Sequence, residues 1–351
     1  MRTAYWKAVG ALLLSGAFAC EHPSEDARPT QALAFGDAIH ITDTLSLEEN
    51  PEVVNVNIDV AADVGSGFVV ADRAEGQVRL YDRTGRLTWF GGRKGGGPGE
   101  FSNLVLARRM PDGSLLCADR SASFTVFDTR GDSVVRTIAT RFFHVEDIEV
   151  LDDETVAITA MLDANPSGPR IHLWDLKESR VTSSFFSPFD RAQNQSAATI
   201  AGWTKVSQRG DSLAVVFATS DTVHIYSRDG SEVRKMPLPS RVFRQVPKDD
   251  PPGALSARER VEWLSTFDFV TDVWWLSSGR LLVQYQDIPP GLTLNERRWH
   301  LLAMEPTGSL VAEVRNTPRA FLVDEDSGLI VFQNPESMVP RDWLVGRPLA
   351  W

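Results

Sequence analysis

Side chains that end in carboxylate or amide oxygens recur along short apolar segments of this chain. Four of them are candidate metal ligands: Asn57, Asn103, Asp147 and Asp272. Calcium is a hard cation that takes oxygen ligands of this kind. If these segments converge, the four residues predict a calcium site. Acidic chains place Asp and Asn in many turns. Our first prediction is therefore that the protein has no cofactor, and a calcium ion is the alternative.

Other catalytic chemistries lack their motifs in this sequence. The six histidines include no His-x-x-x-His or His-x-Glu-x-His spacing, which weakens a zinc-hydrolase hypothesis. There is no Gly-x-Ser-x-Gly segment, which weakens a serine-hydrolase hypothesis. Two cysteines in 351 residues exclude a disulfide scaffold and a cysteine-based zinc site. We therefore assign no catalytic residue from the sequence.

The charge balance excludes a class of partner. Asp and Glu number 47 against 36 Lys and Arg, so the formal net charge is -11 at pH 7. A surface this acidic repels phosphate backbones, and we expect no nucleic-acid partner. The composition, 42% hydrophobic and 24% charged, is that of an ordinary globular protein.

The first twenty residues have the pattern of an export signal. Arg2 and Lys7 precede an apolar stretch, and small residues then lead to Cys20. This order predicts a signal peptide over residues 1–19. As a helix, residues 8–19 would span about 18 Å at roughly 1.5 Å per residue. A bilayer core is about 30 Å thick, so the segment is a targeting signal rather than a membrane span.

Cys20 stands where a bacterial lipobox places its lipidated cysteine, and the segment resembles a lipobox that departs from the pattern at Ala17 and Phe18. The resemblance implies a lipid on Cys20 and a place in the bacterial cell envelope, periplasmic or at the cell surface, most simply at the outer membrane. Residues 20–37 are then a lipid-anchored flexible tether, and the lipid is the only membrane contact. The alternative is an ordinary cleavage site after Ala19, which leaves Cys20 a free thiol.

Short strands separated by turn residues fill the remainder of the chain. One recurring segment ends in a large residue followed by a polar turn, at 77–85, 123–131, 171–175, 223–230 and 301–308. A second, a turn followed by an apolar strand, precedes these at 67–72, 113–119, 154–158, 211–216, 279–283 and 328–332. A unit of about 40–55 residues with this content is typical of a propeller blade.

The repeat predicts an all-β fold, a six-bladed β-propeller with four-stranded antiparallel blades over residues 38–351. The last blade has three predicted strands, at 320–324, 328–332 and 342–351. Residues 38–45, left over at the front of the domain, would supply its missing outer strand. Such an exchange would hold the two ends of the domain together.

The Gly-rich segment 90–101, with Gly96 to Phe101 as its best-matching part, resembles the link between blades in NHL-type six-bladed propellers. Together with the lipobox-like start, the chain resembles the bacterial six-bladed propeller lipoproteins. This resemblance implies the fold, and calcium-dependent lactonases built on six-bladed propellers suggest the alternative activity at the mouth of the channel. The segment lacks the Gly-x-x-x-x-Gly-Lys-[Ser/Thr] order of a phosphate-binding loop.

Two insertions interrupt the repeat, at about 237–263 and 286–299. In the first, Ser256 and Glu259 predict a capping box that starts a helix. Insertions in repeat proteins cluster on one face, where binding usually occurs. Trp263, Trp275 and Trp299 lie in or beside them and are candidate binding residues, although the same aromatics would also serve to fill the core.

These observations predict an exported, lipid-anchored binding module for an envelope protein or a small extracellular ligand. A calcium-dependent hydrolase or lactonase is the alternative function. Scaffolding of the envelope is a third hypothesis that the residues leave open.

Overall fold

The computed structural model describes residues 32–63, 67–120, 123–130, 133–165, 167–188, 203–239, 241–247, 256–276, 278–289, 291–292, 296–324, 328–337 and 339–349. Strands dominate these ranges because apolar and β-branched residues alternate with short turns of Gly, Asp and Ser. The second strand of a blade is covered on both sides, and its sequence is correspondingly rich in apolar residues, as in Gly67–Asp72, where every residue is buried.

Six four-stranded antiparallel blades form the ring, which confirms the predicted six-bladed propeller. Blade 1 consists of β3 (Ile58–Asp63), β4 (Gly67–Asp72), β5 (Gln77–Asp82) and β6 (Leu87–Gly91). Blade 2 consists of β9 (Leu104–Arg109), β10 (Leu115–Asp119), β11 (Ser123–Asp128) and β12 (Ser133–Ala139). Blade 3 consists of β13 (Phe142–Val150), β14 (Thr155–Leu162), β15 (Ile171–Asp175) and β16 (Arg180–Phe185).

The remaining blades follow the same order. Blade 4 consists of β17 (Thr204–Arg209), β18 (Ser212–Phe217), β19 (Thr222–Ser227) and β20 (Glu232–Pro237). Blade 5 consists of β21 (Phe269–Trp275), β22 (Leu281–Asp287), β23 (Arg298–Met304) and β24 (Leu310–Thr317). Blade 6 consists of β25 (Ala320–Asp324), β26 (Leu329–Gln333), β27 (Asp342–Pro348) and β2 (Ile39–Ser46). A short parallel pair, β7 (Arg93–Lys94) and β8 (Glu100–Phe101), lies between blades 1 and 2.

The predicted closure of the ring is confirmed. The strand β2 pairs with β27 in antiparallel register, with Ile39 opposite Pro348 and Ser46 opposite Asp342. The outermost strand of the last blade therefore comes from the beginning of the domain. Unfolding either end must break this pairing, so the closure ties the two ends of the ring together.

The folded unit begins earlier than predicted. Residues 33–37 were expected in the flexible tether, but β1 (Leu33–Ala34) pairs in parallel with β24 and extends blade 5. The following α1 (Phe35–Ala38) places the Phe35 ring 5.1 Å from that of Phe332, edge to face. Burial of Leu33 and Phe35 against the cluster between blades 5 and 6 explains why this segment is ordered with the propeller.

The hydrophobic core is divided among the junctions between blades. A separate cluster of buried residues lies between each pair of neighbouring blades, including the pair that closes the ring. At that closure, Trp343 is fully buried and its ring meets Phe68 edge to face at 5.2 Å. Each blade thus buries both faces against its neighbours, which is why a ring is stable where one small sheet would not be.

The two ends of the ring differ in their connections. Within each antiparallel blade, the turn between the second and third strands and the link to the next blade lie at one end, which we call the connection face. The other end, the turn face, holds the remaining hairpin turns, each of five residues or fewer. The Gly-rich link 92–103 lies at the connection face, and the two predicted insertions begin there, after Pro237 of β20 and after Asp287 of β22.

Aspartates at the ends of second strands tie the links to the blades. The carboxylate of Asp72 accepts the backbone N–H of Val56 at 2.7 Å, and that of Asp119 accepts the N–H of Asn103 at 3.0 Å. In the Gly-rich link, the N–H groups of Gly96 and Gly97 donate to the Glu100 carboxylate at 3.0 and 2.9 Å. The carboxylate of Glu100 therefore occupies the place that a bound anion would take.

The predicted helix of the first insertion is confirmed as α2 (Ala257–Leu264). Ser256 Oγ accepts the N–H of Glu259 at 3.3 Å, and the Glu259 carboxylate accepts the N–H of Ser256 at 2.8 Å, which completes the capping box. Over the described ranges, every helix is too short or too polar to cross a membrane.

Candidate functional site

The inner strands β3, β9, β13, β17, β21 and β25 enclose a central channel that contains a cavity of about 340 Å³. Each blade contributes at least one charged side chain to its lining, and Arg109 and Glu149 also line the cavity. One such residue per blade can be chosen so that the sign of the charge alternates from blade to blade. We call this set the charged ring: Asp59, Arg108, Asp147, Lys205, Asp272 and Arg319. The strand period of two directs these side chains inward, while their sequence neighbours pack between blades.

Four members of the ring are joined by direct contacts and form its closed half. Arg108 bridges two carboxylates, with Nη1 3.2 Å from Asp59 Oδ2 and Nη2 2.7 Å from Asp147 Oδ1. The other carboxylate oxygen of Asp147 lies 3.8 Å from Lys205 Nζ. Arg108 Nε also donates to the carbonyl oxygen of Ile148 at 2.9 Å, so this guanidinium is held on both sides.

Asp272 and Arg319 form the open half. Among the described residues, neither side chain has an oppositely charged group within ion-pair distance. Asp272 Oδ1 accepts the N–H of its neighbour Val273 at 3.1 Å. The guanidinium of Arg319 lies over the rings of Trp299 and Phe321, 5.4 and 5.3 Å from their centres. Only longer-range attraction to Asp59 and Asp272 acts on it from within the ring.

The protonation properties of the ring follow this division. Burial opposes ionisation of Asp59, but Arg108 and Lys205 outweigh it and lower the pKa of Asp59 below its usual value. At Asp272, burial raises the pKa to about 7, because the attraction of Lys205 is too weak to offset burial and Asp147 adds repulsion. The open half therefore holds a carboxyl group that changes charge near neutral pH.

The junction between blades 5 and 6 is closed by a buried amide side chain. Gln284 Nε2 donates to the carbonyl oxygen of Ala320 at 3.2 Å, and Gln284 Oε1 accepts the N–H of Ala320 at 2.7 Å. This side chain satisfies both backbone groups at the start of the last inner strand, immediately after Arg319. It therefore helps to set the position of the open half.

The structure brings together two of the four residues predicted to bind calcium. Asp147 and Asp272 line the cavity, whereas Asn57 and Asn103 lie outside its lining. Asp147 already faces Arg108 and Lys205, which supply the positive charge that a calcium ion would bring. Among the described residues, no three Asp, Glu, His or Cys side chains are placed to share a metal ion. The donor set does not fit calcium well, and the calcium site stays a prediction.

The three candidate tryptophans have different surroundings. Trp263, on α2, packs against Phe267 with ring centres 4.8 Å apart and belongs to a cluster of the insertion. Trp275 is 6% exposed in the core between blades 4 and 5. Trp299 lies beside the channel, behind Arg319, and its ring is also 5.8 Å from the guanidinium of Arg297. Of the three, Trp299 is the one connected to the charged ring.

The two cysteines have separate outcomes. Cys20 and the predicted signal and tether up to residue 31 lie outside the described residues. Cys117 is buried in the cluster between blades 1 and 2, and burial raises the pKa of its thiol. It is thus unreactive.

Sequence reasoning identified Asp147 and Asp272 as candidate ligands and missed the arginines. Arg108 and Arg319 do not appear among the predicted site residues, because a calcium site requires oxygen ligands and an arginine side chain has only N–H donors. A partial signal was present, because every inner strand has at least one charged residue in or beside it, although β9 and β13 have more than one. Gln284 gave no signal, because its role depends on the neighbouring blade.

Comparison with known proteins identifies the fold without a family. No protein-family model and no curated protein sequence matches this chain. Solved structures with a similar fold include a member of the DUF4221 family from Bacteroides vulgatus, with a TM-score of 0.64 and 12% sequence identity over 89% of this chain and 97% of that one. Another is a Bacteroides fragilis protein named provisionally as exported, with a TM-score of 0.62 and 10% identity over 91% and 98% of the two chains. At such low identity the likeness shows a shared fold.

Proposed function

We propose that this chain is an exported, lipid-anchored binding module that recognises an envelope protein or a small extracellular ligand on its connection face. The observation that carries the proposal is that the Gly-rich link and the described parts of the two insertions lie at the connection face, where Arg319 directly precedes the last inner strand. A rigid ring with variable loops at one end is a common arrangement for recognition. On the turn face, the strands are joined by hairpin turns of five residues or fewer.

The experiment compares the two faces with matched charge reversals. Arg258 on α2 and Arg130 on the turn face are both highly exposed, at 89% and 83% of the side chain, and each pairs with a neighbouring carboxylate. After a partner has been cross-linked and identified from an envelope extract, its affinity is measured for Arg258→Glu and Arg130→Glu. We expect about tenfold weaker binding for Arg258→Glu and no loss of affinity for Arg130→Glu. Equal loss for both, or loss for Arg130→Glu alone, would overturn the proposal.

Export and anchoring rest on residues 1–20 and are supported by the provisional name of the Bacteroides fragilis neighbour. The test is metabolic labelling with palmitate, followed by fractionation of the envelope. We expect label on the wild type and on Cys117→Ser, and none on Cys20→Ser, with the wild type in the outer-membrane fraction. Label that persists in Cys20→Ser would contradict the anchor. A secreted, unlabelled protein would favour the ordinary cleavage site.

The calcium-dependent hydrolase is the weaker function, because Arg108 lies between two of the carboxylates that a calcium ion would need. Metal analysis of protein purified without chelators tests this directly. We expect no stoichiometric calcium and no shift in Tm when calcium is added. About one calcium per chain, lost in Asp272→Asn, would restore the hydrolase and direct attention to lactone and ester substrates.

A further inference from the structure

The charged ring is incomplete as a set of contacts, and the break lies at Asp272 and Arg319. Around the ring, ion pairs connect Asp59 to Arg108, Arg108 to Asp147 and Asp147 to Lys205. From Lys205 onward, the described residues supply no further contact between opposite charges. The alternation of sign continues, so the break separates a carboxylate from a guanidinium across open cavity.

The guanidinium of Arg319 is held ready for an acceptor. Trp299 and Phe321 lie against it at 5.4 and 5.3 Å, which restricts its orientation through cation–π contact. Within the described part of the chain, no side-chain or backbone acceptor engages its N–H groups. Such a fork matches the two oxygens of a carboxylate.

Asp272 presents the complementary group. Its carboxyl accepts one bond from its neighbouring backbone N–H and faces Lys205, Asp147 and Arg319 from the strands packed around it. A cation placed beside Asp272 would pair with it as Arg108 pairs with the other two carboxylates of the ring, Asp59 and Asp147. An anion bound at Arg319 would lie next to the unpaired acid Asp272. A cation bound at Asp272 would face the positive charges of Arg319 and Lys205. Neither ion alone therefore matches the charges of the open half.

We propose that the open half of the charged ring binds a small zwitterion that carries an amine and a carboxylate. The ligand carboxylate pairs with Arg319 and its ammonium with Asp272, so the alternation of charge is completed without a change in net charge. Trp274 and Phe321 also line the cavity and offer apolar contact to the remainder of the ligand. A volume of about 340 Å³ suits a molecule of amino-acid size. The site deepens the proposed binding function by naming a ligand class.

The first experiment uses isothermal titration calorimetry on the full chain in detergent. The probes are the twenty common amino acids with β-alanine and γ-aminobutyrate, which vary the separation of the two charges. For the best probe, the N-acetyl derivative keeps only the carboxylate and the methyl ester keeps only the amine. We expect at least about tenfold weaker binding for each derivative. Binding by no probe, or a derivative as tight as its parent, overturns the proposal.

Variants locate the site. We expect Arg319→Met and Asp272→Asn each to weaken the best probe by about tenfold or more, with Arg319→Lys intermediate because it keeps the charge and loses the fork. Trp299→Leu should weaken it about threefold by releasing Arg319, and Trp299→Phe should restore most of the affinity. Arg130→Gln on the turn face is the control and should bind normally. Unchanged affinity in both Arg319→Met and Asp272→Asn overturns the proposal even if a probe binds.

The pH dependence supplies a second readout that a folding defect would not imitate. Because Asp272 titrates near pH 7, a ligand ammonium should bind about tenfold more tightly at pH 8 than at pH 6. Asp272→Asn should remove this dependence. Affinity that falls from pH 6 to pH 8 would show an anion site instead. If the zwitterion fails while Arg258→Glu still weakens the envelope partner, the proposed function stands and this inference does not.

Discussion

The two halves of the charged ring are built from the same kinds of residue and behave differently. In the closed half, Arg108 lies between Asp59 and Asp147 at hydrogen-bonding distance, and three blades are joined by it. In the open half, Asp272 and Arg319 face the cavity without such a contact among the described residues. Arg319 instead rests on two aromatic rings.

One channel can therefore contain charges paired within the protein and charges that keep their hydrogen-bonding capacity. Buried charges that find partners within the protein hold blades in register, and removing one partner leaves the other buried and uncompensated. Charges that keep their hydrogen-bonding capacity toward a cavity add little stability and are available to a ligand. The comparison therefore predicts large stability effects on one side and small ones on the other.

The largest effect is expected in the closed half. Arg108→Met should destabilise the protein by about 3 kcal/mol or more, because Asp59 and Asp147 would both lose their hydrogen-bonded cation. Urea unfolding followed by tryptophan fluorescence measures this. The double variant Asp59→Asn with Arg108→Met should recover part of the loss. A cost below about 1 kcal/mol would show that the closed half is not a structural unit.

The junction beside the open half should give the next largest effect. Gln284→Leu removes both hydrogen bonds to Ala320 and leaves a buried N–H and C=O without partners, at a cost of about 2 kcal/mol. Amide hydrogen exchange at Ala320 should quicken at the same time. Thr159→Val is the matched control between blades 3 and 4, where one hydroxyl donor shared by the carbonyl oxygens of Thr204 at 3.0 Å and Asp147 at 3.4 Å is lost, and about 1 kcal/mol is expected. Equal costs would contradict the special importance of the junction.

Asp272 should make the free energy of unfolding depend on pH. Its folded pKa of about 7 is above that of an unfolded aspartate, so the folded state holds this proton more tightly and loses stability as pH rises toward 7. Asp272→Asn has no such loss and should gain about 1–2 kcal/mol on the wild type between pH 5 and pH 8. Denaturant unfolding at the two pH values tests this. Asp59→Asn, whose acid has a lowered pKa and is ionised in both states over this range, should show a constant loss of stability relative to the wild type from pH 5 to pH 8, and that loss should shrink only at more acidic pH.

The smallest effect is expected at Arg319. Since it lacks an ion pair in the described residues and is exposed to the channel, Arg319→Gln should change the free energy of unfolding by about 0.5 kcal/mol or less. Thermal and urea unfolding of this variant beside Arg108→Met complete the comparison. If Arg319→Gln and Arg108→Met lower the free energy of unfolding by the same amount, the division of the ring into closed and open halves is wrong.

Much of the fold could be predicted because the repeat is local. Turn residues such as Gly85 and Gly230, with positive φ, mark hairpins of the repeat that any alignment of the chain against itself reveals. The shortage of one strand in the last blade predicted the closure by β2. The candidate site was predicted less well, since two of the four proposed metal ligands lie outside the channel and two tryptophans serve hydrophobic packing.

The sequence by itself determined the strand period, the number of blades, the capped helix and the acidic residues of the inner strands. These depend on neighbours within a few residues or one repeat, and short-range physics decides them. The tertiary structure alone decided that Arg108 would lie between two carboxylates. It also decided that Arg319 would line the cavity with its guanidinium stacked over the ring of Trp299. Ion pairing is set by distances between blades that are far apart in the chain, and a few ångströms decide whether a charge supports the ring or is free to bind.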